Sequence, residues 1–184
     1  MKALVTGGAG FIGSHLVEEL VRLGHEVVVI DNLSSGRIEN LSTVSSKIEI
    51  VEADLSKNLD WERYFEGIDW VFHLAALADI VPSIQDPDSY FASNVNGTYN
   101  LVRASQKAGV KRLIYVASSS CYGIPEQIPT PETEPLKPQY PYALTKSIGE
   151  ELVLHWADVY GLPALSLRFF NVYGPRSRTS GTYG

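Results

Sequence analysis

Tyr142 and Lys146 stand four residues apart in Tyr142-Ala143-Leu144-Thr145-Lys146, so a helix would carry both on one face. A phenol titrating near 10 is a poor base at neutral pH. Lowering that value by about 3 units takes roughly 4 kcal/mol, and an adjacent ammonium and a second bound positive charge would both favour the phenolate. The pair could then accept the proton of a hydroxyl while hydride leaves the same carbon for a bound acceptor. A serine hydroxyl on that oxygen would steady the developing charge, and Ser118-Ser119-Ser120 lies upstream to supply one. Alone, a Tyr-x-x-x-Lys spacing arises by chance in many helices, so the elements around it decide.

The strongest of those elements is Thr6-Gly7-Gly8-Ala9-Gly10-Phe11-Ile12-Gly13, between the apolar run Ala3–Val5 and an amphipathic segment ending near Leu23. This is a strand, a tight glycine turn and a helix. Gly7, Gly10 and Gly13 let the backbone turn sharply and approach a pyrophosphate, whose charge the helix N-terminus favours. A second apolar run, Val27–Ile30, ends in Asp31, placed to accept hydrogen bonds from both ribose hydroxyls of an adenosine and to repel a 2′-phosphate. NAD is therefore expected over NADP.

Six short, Val- and Ile-rich runs alternate with helix-length segments: Ala3–Thr6, Val27–Ile30, Ile48–Val51, Trp70–Leu74, Leu113–Val116 and Ala164–Leu167. Strands buried on both faces read this way, and the alternation predicts an α/β fold with a doubly wound parallel sheet. Asp54 ends the third run, as an adenine contact or a helix cap. Ala75-Ala76-Leu77-Ala78 follows the fourth, with small residues where a backbone must pass a ligand. Asn94 falls within a helix predicted over Pro87–Ala108 and either ties backbone segments together or touches the cofactor. A proline-rich loop after Gly123 reads as a lid or substrate loop. His73 reads as a hydrogen-bonded core residue, and Glu150-Glu151 as a solvated helix face. Arg176 and Arg178 are candidate phosphate contacts.

The chain has 184 residues, a formal charge of −6 and one cysteine, Cys121. With no basic stripe, nucleic-acid and anionic-membrane surfaces are excluded as expectations. One cysteine, no run long enough to span a bilayer and no basic-then-apolar leader point to a cytoplasmic protein.

Together these motifs resemble the extended short-chain dehydrogenase/reductase family, specifically its NAD-dependent nucleotide-sugar epimerases of the UDP-glucose/UDP-galactose type. Asp31-Asn32-Leu33, Asp54-Leu55, Asn94–Thr98, Tyr142–Lys146 and Leu167–Pro175 match its pattern, and the similarity covers essentially the whole chain. The resemblance implies cofactor contacts from Phe11, Ile12, Asp31, Asn32, Ser34, Ser35, Gly36, Asp54, Leu55, Leu74, Ala75, Ala76, Asn94, Tyr142, Lys146 and Phe170. It implies that Ser119, Tyr142 and Asn171 touch the substrate, a nucleotide-diphosphate sugar, with Ser119, Tyr142 and Lys146 catalytic. Anchoring the serine on the strand selects Ser119; counting back from Tyr122-Gly123 selects Ser118. The strand anchor is preferred.

The serine run carries no carboxylate such as sugar 4,6-dehydratases use, which favours 4-epimerisation through a 4-keto intermediate. Cys121, which resembles a thiol used by fucose-type epimerase/reductases, is expected to be a small buried hydrophobe. The resemblance also implies a Rossmann domain over residues 1–170 and the start of a truncated substrate portion over 171–184. It implies a homodimer through the helices near Pro87–Ala108 and Tyr142–Tyr160. A fragment of this kind is expected to keep NAD binding while sugar binding and turnover weaken.

Overall fold

A computed structural model describes residues 1–57 and 59–177. The six apolar runs are the six strands: β1 (Lys2–Thr6), β2 (Glu26–Asp31), β3 (Ile48–Glu52), β4 (Trp70–His73), β5 (Arg112–Ser118) and β6 (Ala164–Phe169). They form one parallel sheet in the order β3-β2-β1-β4-β5-β6. This is the doubly wound order, with its reversal between β1 and β4, where ligands of open α/β sheets bind beyond the carboxyl ends of the strands.

Side-chain alternation splits the apolar residues between two layers. Ala3, Val5, Val27 and Val29 face α1 (Phe11–Arg22) with Val17 and Leu20. Leu4, Val28, Ile30, Leu113 and Tyr115 face the other way, against Leu101 of α4 (Gly97–Ala108) and Val153 of α5 (Pro141–Tyr160). Local chemistry bounds these helices. Pro141 occupies the first turn of α5, and Gly161, at φ +68°, ends it in the left-handed region that glycine adopts freely.

The segment predicted as one helix over Pro87–Ala108 is helical throughout but not uniform. Behind the short α2 (Ile80–Gln85), α3 (Pro87–Tyr90) runs into a π-helical stretch, Phe91–Asn96, before α4 begins. Wider turns of this kind rotate the residues that follow and recur at functional sites.

Glu150 is not on a solvated face. It is buried, and both of its carboxylate oxygens accept from Arg168, with Ser166 Oγ donating at 2.7 Å. Arg168 also donates to Tyr122 Oη at 2.9 Å and to the Glu132 carbonyl at 3.1 Å. The pair therefore fastens α5 to β6 and to the proline-rich loop.

His73, at the end of β4, is the core residue expected. Thr98 Oγ1 donates to the Asn94 carbonyl, so it accepts from His73 Nε2; Thr6 Oγ1 accepts from Ala75 N, so it donates to His73 Nδ1. That polarity fixes a neutral Nε2–H ring. Burial, with the Lys146 charge adding to it, drops its pKa from 6.5 to about 3. Between those values the unfolded chain binds a proton that the folded chain excludes, so stability falls as pH falls through the window. Urea unfolding from pH 6.5 down to 3 should show His73→Gln losing less stability than the wild type, by up to about 1.4 kcal/mol per pH unit.

Candidate active site

A cleft of about 660 Å³ opens at the carboxyl edge of the sheet, within the range of about 300–1,000 Å³ typical of ligand sites. Its floor is the turn from β1 to α1. Gly7 lies at φ +69°, and a β-carbon there would sit 2.7 Å from the Ala75 amide nitrogen; one on Gly13 would overlap the Gly7 carbonyl. Only glycine allows these backbones to touch. Gly10 caps α1 with no side-chain bond. The first-turn amides of Phe11, Ile12 and Gly13, all lining the cleft, have no acceptor within the helix. Unpaired amides above a Cβ-free cradle suit a pyrophosphate, so the residues present fit a dinucleotide.

Asp31 ends β2 in the wall, 7% exposed, with Oδ2 accepting from Ala9 N and Oδ1 from Leu33 N, each at 2.9 Å. Both oxygens keep a further lone pair for a ligand. Asn32, Ser34 and Ser35 continue this wall; Gly36 does not line it, but packs behind Asp31, where a β-carbon would meet Asp31 Oδ1 at 3.0 Å. Asp54 and Leu55 lie beyond β3. Asp54 lines the cleft and is followed by a turn, not a helix: burial works against its charge, but bonds from the Ser56 amide and hydroxyl and from Lys57 outweigh it and lower its pKa. Leu74, Ala75 and Ala76 line the middle, and Phe170 and Asn171 the far side.

Asn94 is not part of the wall. Its side chain accepts from Leu77 N at 2.8 Å and donates to the Leu77 carbonyl and to Thr145 Oγ1, both at 3.0 Å. It ties the loop after β4 to α5. Its neighbour Ser93 lines the cleft instead. The wide turns at Phe91–Asn96 are the physical reason, and a regular helical periodicity gave no signal of them.

At the end of β5 the structure places Ser118, and not Ser119, on the cleft. The strand continues through Ser118, two residues past its apolar run, and a single turn, Ser119–Tyr122, then carries the chain away. Ser118 lines the cleft together with Tyr142 and accepts from Ser120 N and Ser120 Oγ; Ser119 lies outside. Cys121 is fully buried with its thiol against the Ala143 carbonyl, and burial raises its pKa.

Tyr142 and Lys146 share the cleft-facing side of α5, as their spacing predicts. Their electrostatics differ from expectation. Burial pushes the Tyr142 phenol above 10, with Ser118 opposing, while the same burial drops Lys146 to about 8. The Lys146 ammonium sits 4.5 Å from the ring centre of Tyr115, and burial decides the direction at Tyr142. At neutral pH the cleft holds a neutral phenol and an ammonium.

Arg37 and Asn40 after β2, Asp79 at the start of α2, and Arg176 also line the cleft. None but Arg176 was singled out in the sequence, because loop residues carry no periodicity. The Arg176 guanidinium meets Glu18 and Ser14 of α1. Arg178 lies outside the described residues.

With this geometry in place the comparisons have a site to bear on. Residues 3–183 match the NAD dependent epimerase/dehydratase family. The chain belongs to that family. A putative UDP-glucose 4-epimerase of Methanocaldococcus jannaschii is 37% identical over 98% of this chain and 59% of its own length. The crystal structure of the Thermotoga maritima UDP-glucose 4-epimerase with UDP-glucose is 40% identical, with a TM-score of 0.93 over 98% of this chain and 59% of its own. A dTDP-glucose 4,6-dehydratase of Streptomyces venezuelae with NAD bound is 34% identical, with a TM-score of 0.91 over 96% of this chain and 57% of its own. The chain thus spans a little over half the length of these relatives. No helix among the described residues is long and apolar enough to cross a membrane.

If Asn94 serves as a structural tie, Asn94→Leu should lower the free energy of unfolding by about 2–3 kcal/mol, since it strands the Leu77 amide and carbonyl. Urea denaturation measures this, and a change under about 0.5 kcal/mol would contradict the assignment.

Proposed function

We propose that this chain binds NAD and belongs to a nucleotide-diphosphate-sugar 4-epimerase of the UDP-glucose/UDP-galactose type. One observation carries the reading: the glycine cradle, Asp31 and the Ser118–Tyr142–Lys146 group open into the same cleft. The named relatives, which include UDP-glucose 4-epimerases, support it.

In this proposal the first-turn amides of α1 hold the pyrophosphate and Asp31 the adenosine ribose. Bound NAD supplies the hydride acceptor and, when oxidised, a positive charge beside the phenol. Tyr142 takes the proton of the sugar's 4-hydroxyl, a task its raised pKa forbids until a positive charge enters the cleft. Ser118 donates to the same sugar oxygen as charge develops. Lys146, an ammonium below its pKa of about 8, favours the phenolate by charge. Rotation of the keto-sugar, return of hydride to its other face and return of the proton from Tyr142 to the 4-oxygen would complete the epimerisation. The serine run at the end of β5 brings no carboxylate beside Tyr142, which favours hydride return over elimination of water.

Asn171 and the residues after it are assigned to the substrate side, with the Rossmann domain ending near residue 170. The outer faces of α4 and α5 expose Tyr99, Leu154 and Tyr160, which supports the proposed homodimer through these helices.

The test is reduction of bound NAD by a saturating sugar nucleotide, followed by nicotinamide absorbance over one turnover. Uridine- and thymidine-diphosphate hexoses make up the panel. Reduction is expected with at least one, slowed about 10²–10³-fold by Ser118→Ala and little changed by Ser119→Ala. Tyr142→Phe should slow it by about 10²-fold or more. A Tyr142→Phe rate equal to that of the wild type would overturn the mechanism, and equal losses at both serines would overturn the choice of Ser118.

A further inference from the structure

Two segments form the rims of the cleft. One is the loop after β2, which brings Arg37 and Asn40 to the wall; the other is the strap after β6, which brings Phe170, Asn171 and Arg176. The helix between them, α1, presents Glu18 to both. Glu18 accepts from Thr43 Oγ1 in the β2 loop. It also accepts twice from the strap, with Arg176 Nη2 donating to Oε1 at 2.7 Å and Nη1 to Oε2 at 3.0 Å. Arg176 Nη1 reaches Ser14 Oγ at 3.2 Å as well, and His15 Nε2 donates to the Pro175 carbonyl at 3.0 Å.

This is a forked, charge-assisted contact between partly buried side chains, 23% and 26% exposed, and such bonds are stronger than neutral ones. The strap bends sharply to make it. Arg176 has φ +67°, a left-handed conformation that an L side chain keeps only where neighbours hold it. Two residues earlier is Gly174, at φ +156°, where a β-carbon would just meet the edge of the Phe11 ring, and the Pro175 carbonyl between them is held by His15, so the strap lies along the first turns of α1. An arginine at a phosphate-binding helix end would ordinarily be read as a phosphate ligand. Here both terminal nitrogens are directed at a carboxylate, and that carboxylate, if left unpaired, would repel the same phosphate.

We propose that Glu18 is a positioning residue that latches both rims of the cleft to α1, through Arg176 and Thr43, and so sets how long a bound dinucleotide stays. The claim rests on the reading of the cleft as the NAD site. It differs in sign from a direct phosphate contact. If Arg176 served the phosphates, removing the Glu18 charge would free it and slow release of the cofactor. If the pair is a latch, removing either partner loosens the strap and hastens release.

The measurement is the dissociation rate of NADH from this chain, by stopped-flow displacement with excess NAD. Glu18→Gln and Arg176→Gln should each raise it about tenfold, equivalent to roughly 1.4 kcal/mol, with the association rate unchanged. The double variant should release no faster than either single one, because both remove one interaction. Arg176→Lys, which keeps the charge but not the fork, should fall between. Unchanged or slower release from Glu18→Gln would overturn the proposal. Amide hydrogen exchange over residues 170–176 without cofactor gives a second, independent reading. Faster exchange in both variants supports the latch, and unchanged exchange refutes it. A wild-type chain that binds no NADH would overturn the cofactor reading and the residence-time claim with it, whereas the exchange comparison would still show whether the strap is held.

Discussion

The fold's site depends on backbone touching backbone where β1 turns into α1. Gly7 lies against the Leu74–Ala75 peptide and Gly13 against the Gly7 carbonyl, distances at which no other residue fits. That contact brings the α1 N-terminus over the point where the strand order reverses, between β1 and β4. A parallel sheet delivers the rest to the same edge, because every strand ends there. Asp31, His73 and Ser118 are strand-end residues for that reason, and Asp54 follows two residues after β3. α5 then needs only to cross β5 for Tyr142 and Lys146 to face the glycine turn.

Burial arms this site and restrains it at once. The desolvation that lifts the Tyr142 phenol also lowers the Lys146 ammonium, so both groups are held nearer to their neutral forms. Below them His73 is neutral between two threonines, and the Tyr115 ring carries the Lys146 charge. Gly149 leaves room for the Tyr115 hydroxyl, which would otherwise collide with α5. Such a stack is stable without a ligand and responds strongly to any positive charge brought into the cleft, since a low dielectric magnifies it. The buried Glu150–Arg168 pair sits one turn beyond Lys146 and fixes the helix that carries the chemistry.

What the sequence disclosed followed from short-range physics. The glycine spacing, the apolar runs and Asp31 are local signals, and the six strands, the sheet class and the main wall of the cleft were all legible from them. The sequence is silent where a side chain's direction depends on distant partners. Anchoring on the strand points to Ser119, yet Ser118, paired with Phe169 of β6, is the serine that ends β5 on the cleft. Asn94 was ambiguous because its three bonds reach Leu77 and Thr145, the latter 51 residues away. Glu150 looked solvated because its partner, Arg168, lies on a strand formed later in the chain. The ammonium expected in the cleft with Tyr142 is there, but the spacing of Tyr142 and Lys146 reveals neither the Tyr115 ring it meets nor the burial that lifts the phenol.

The central claim is that the glycine turn and Asp31 form the cradle of an adenine dinucleotide. Calorimetric titration of the chain with NAD and then with NADP tests it most directly. NAD should bind at least about tenfold more tightly, because a 2′-phosphate would face the Asp31 carboxylate, and Asp31→Ser should narrow the gap. Equal binding of both, or heat from neither, would contradict the account.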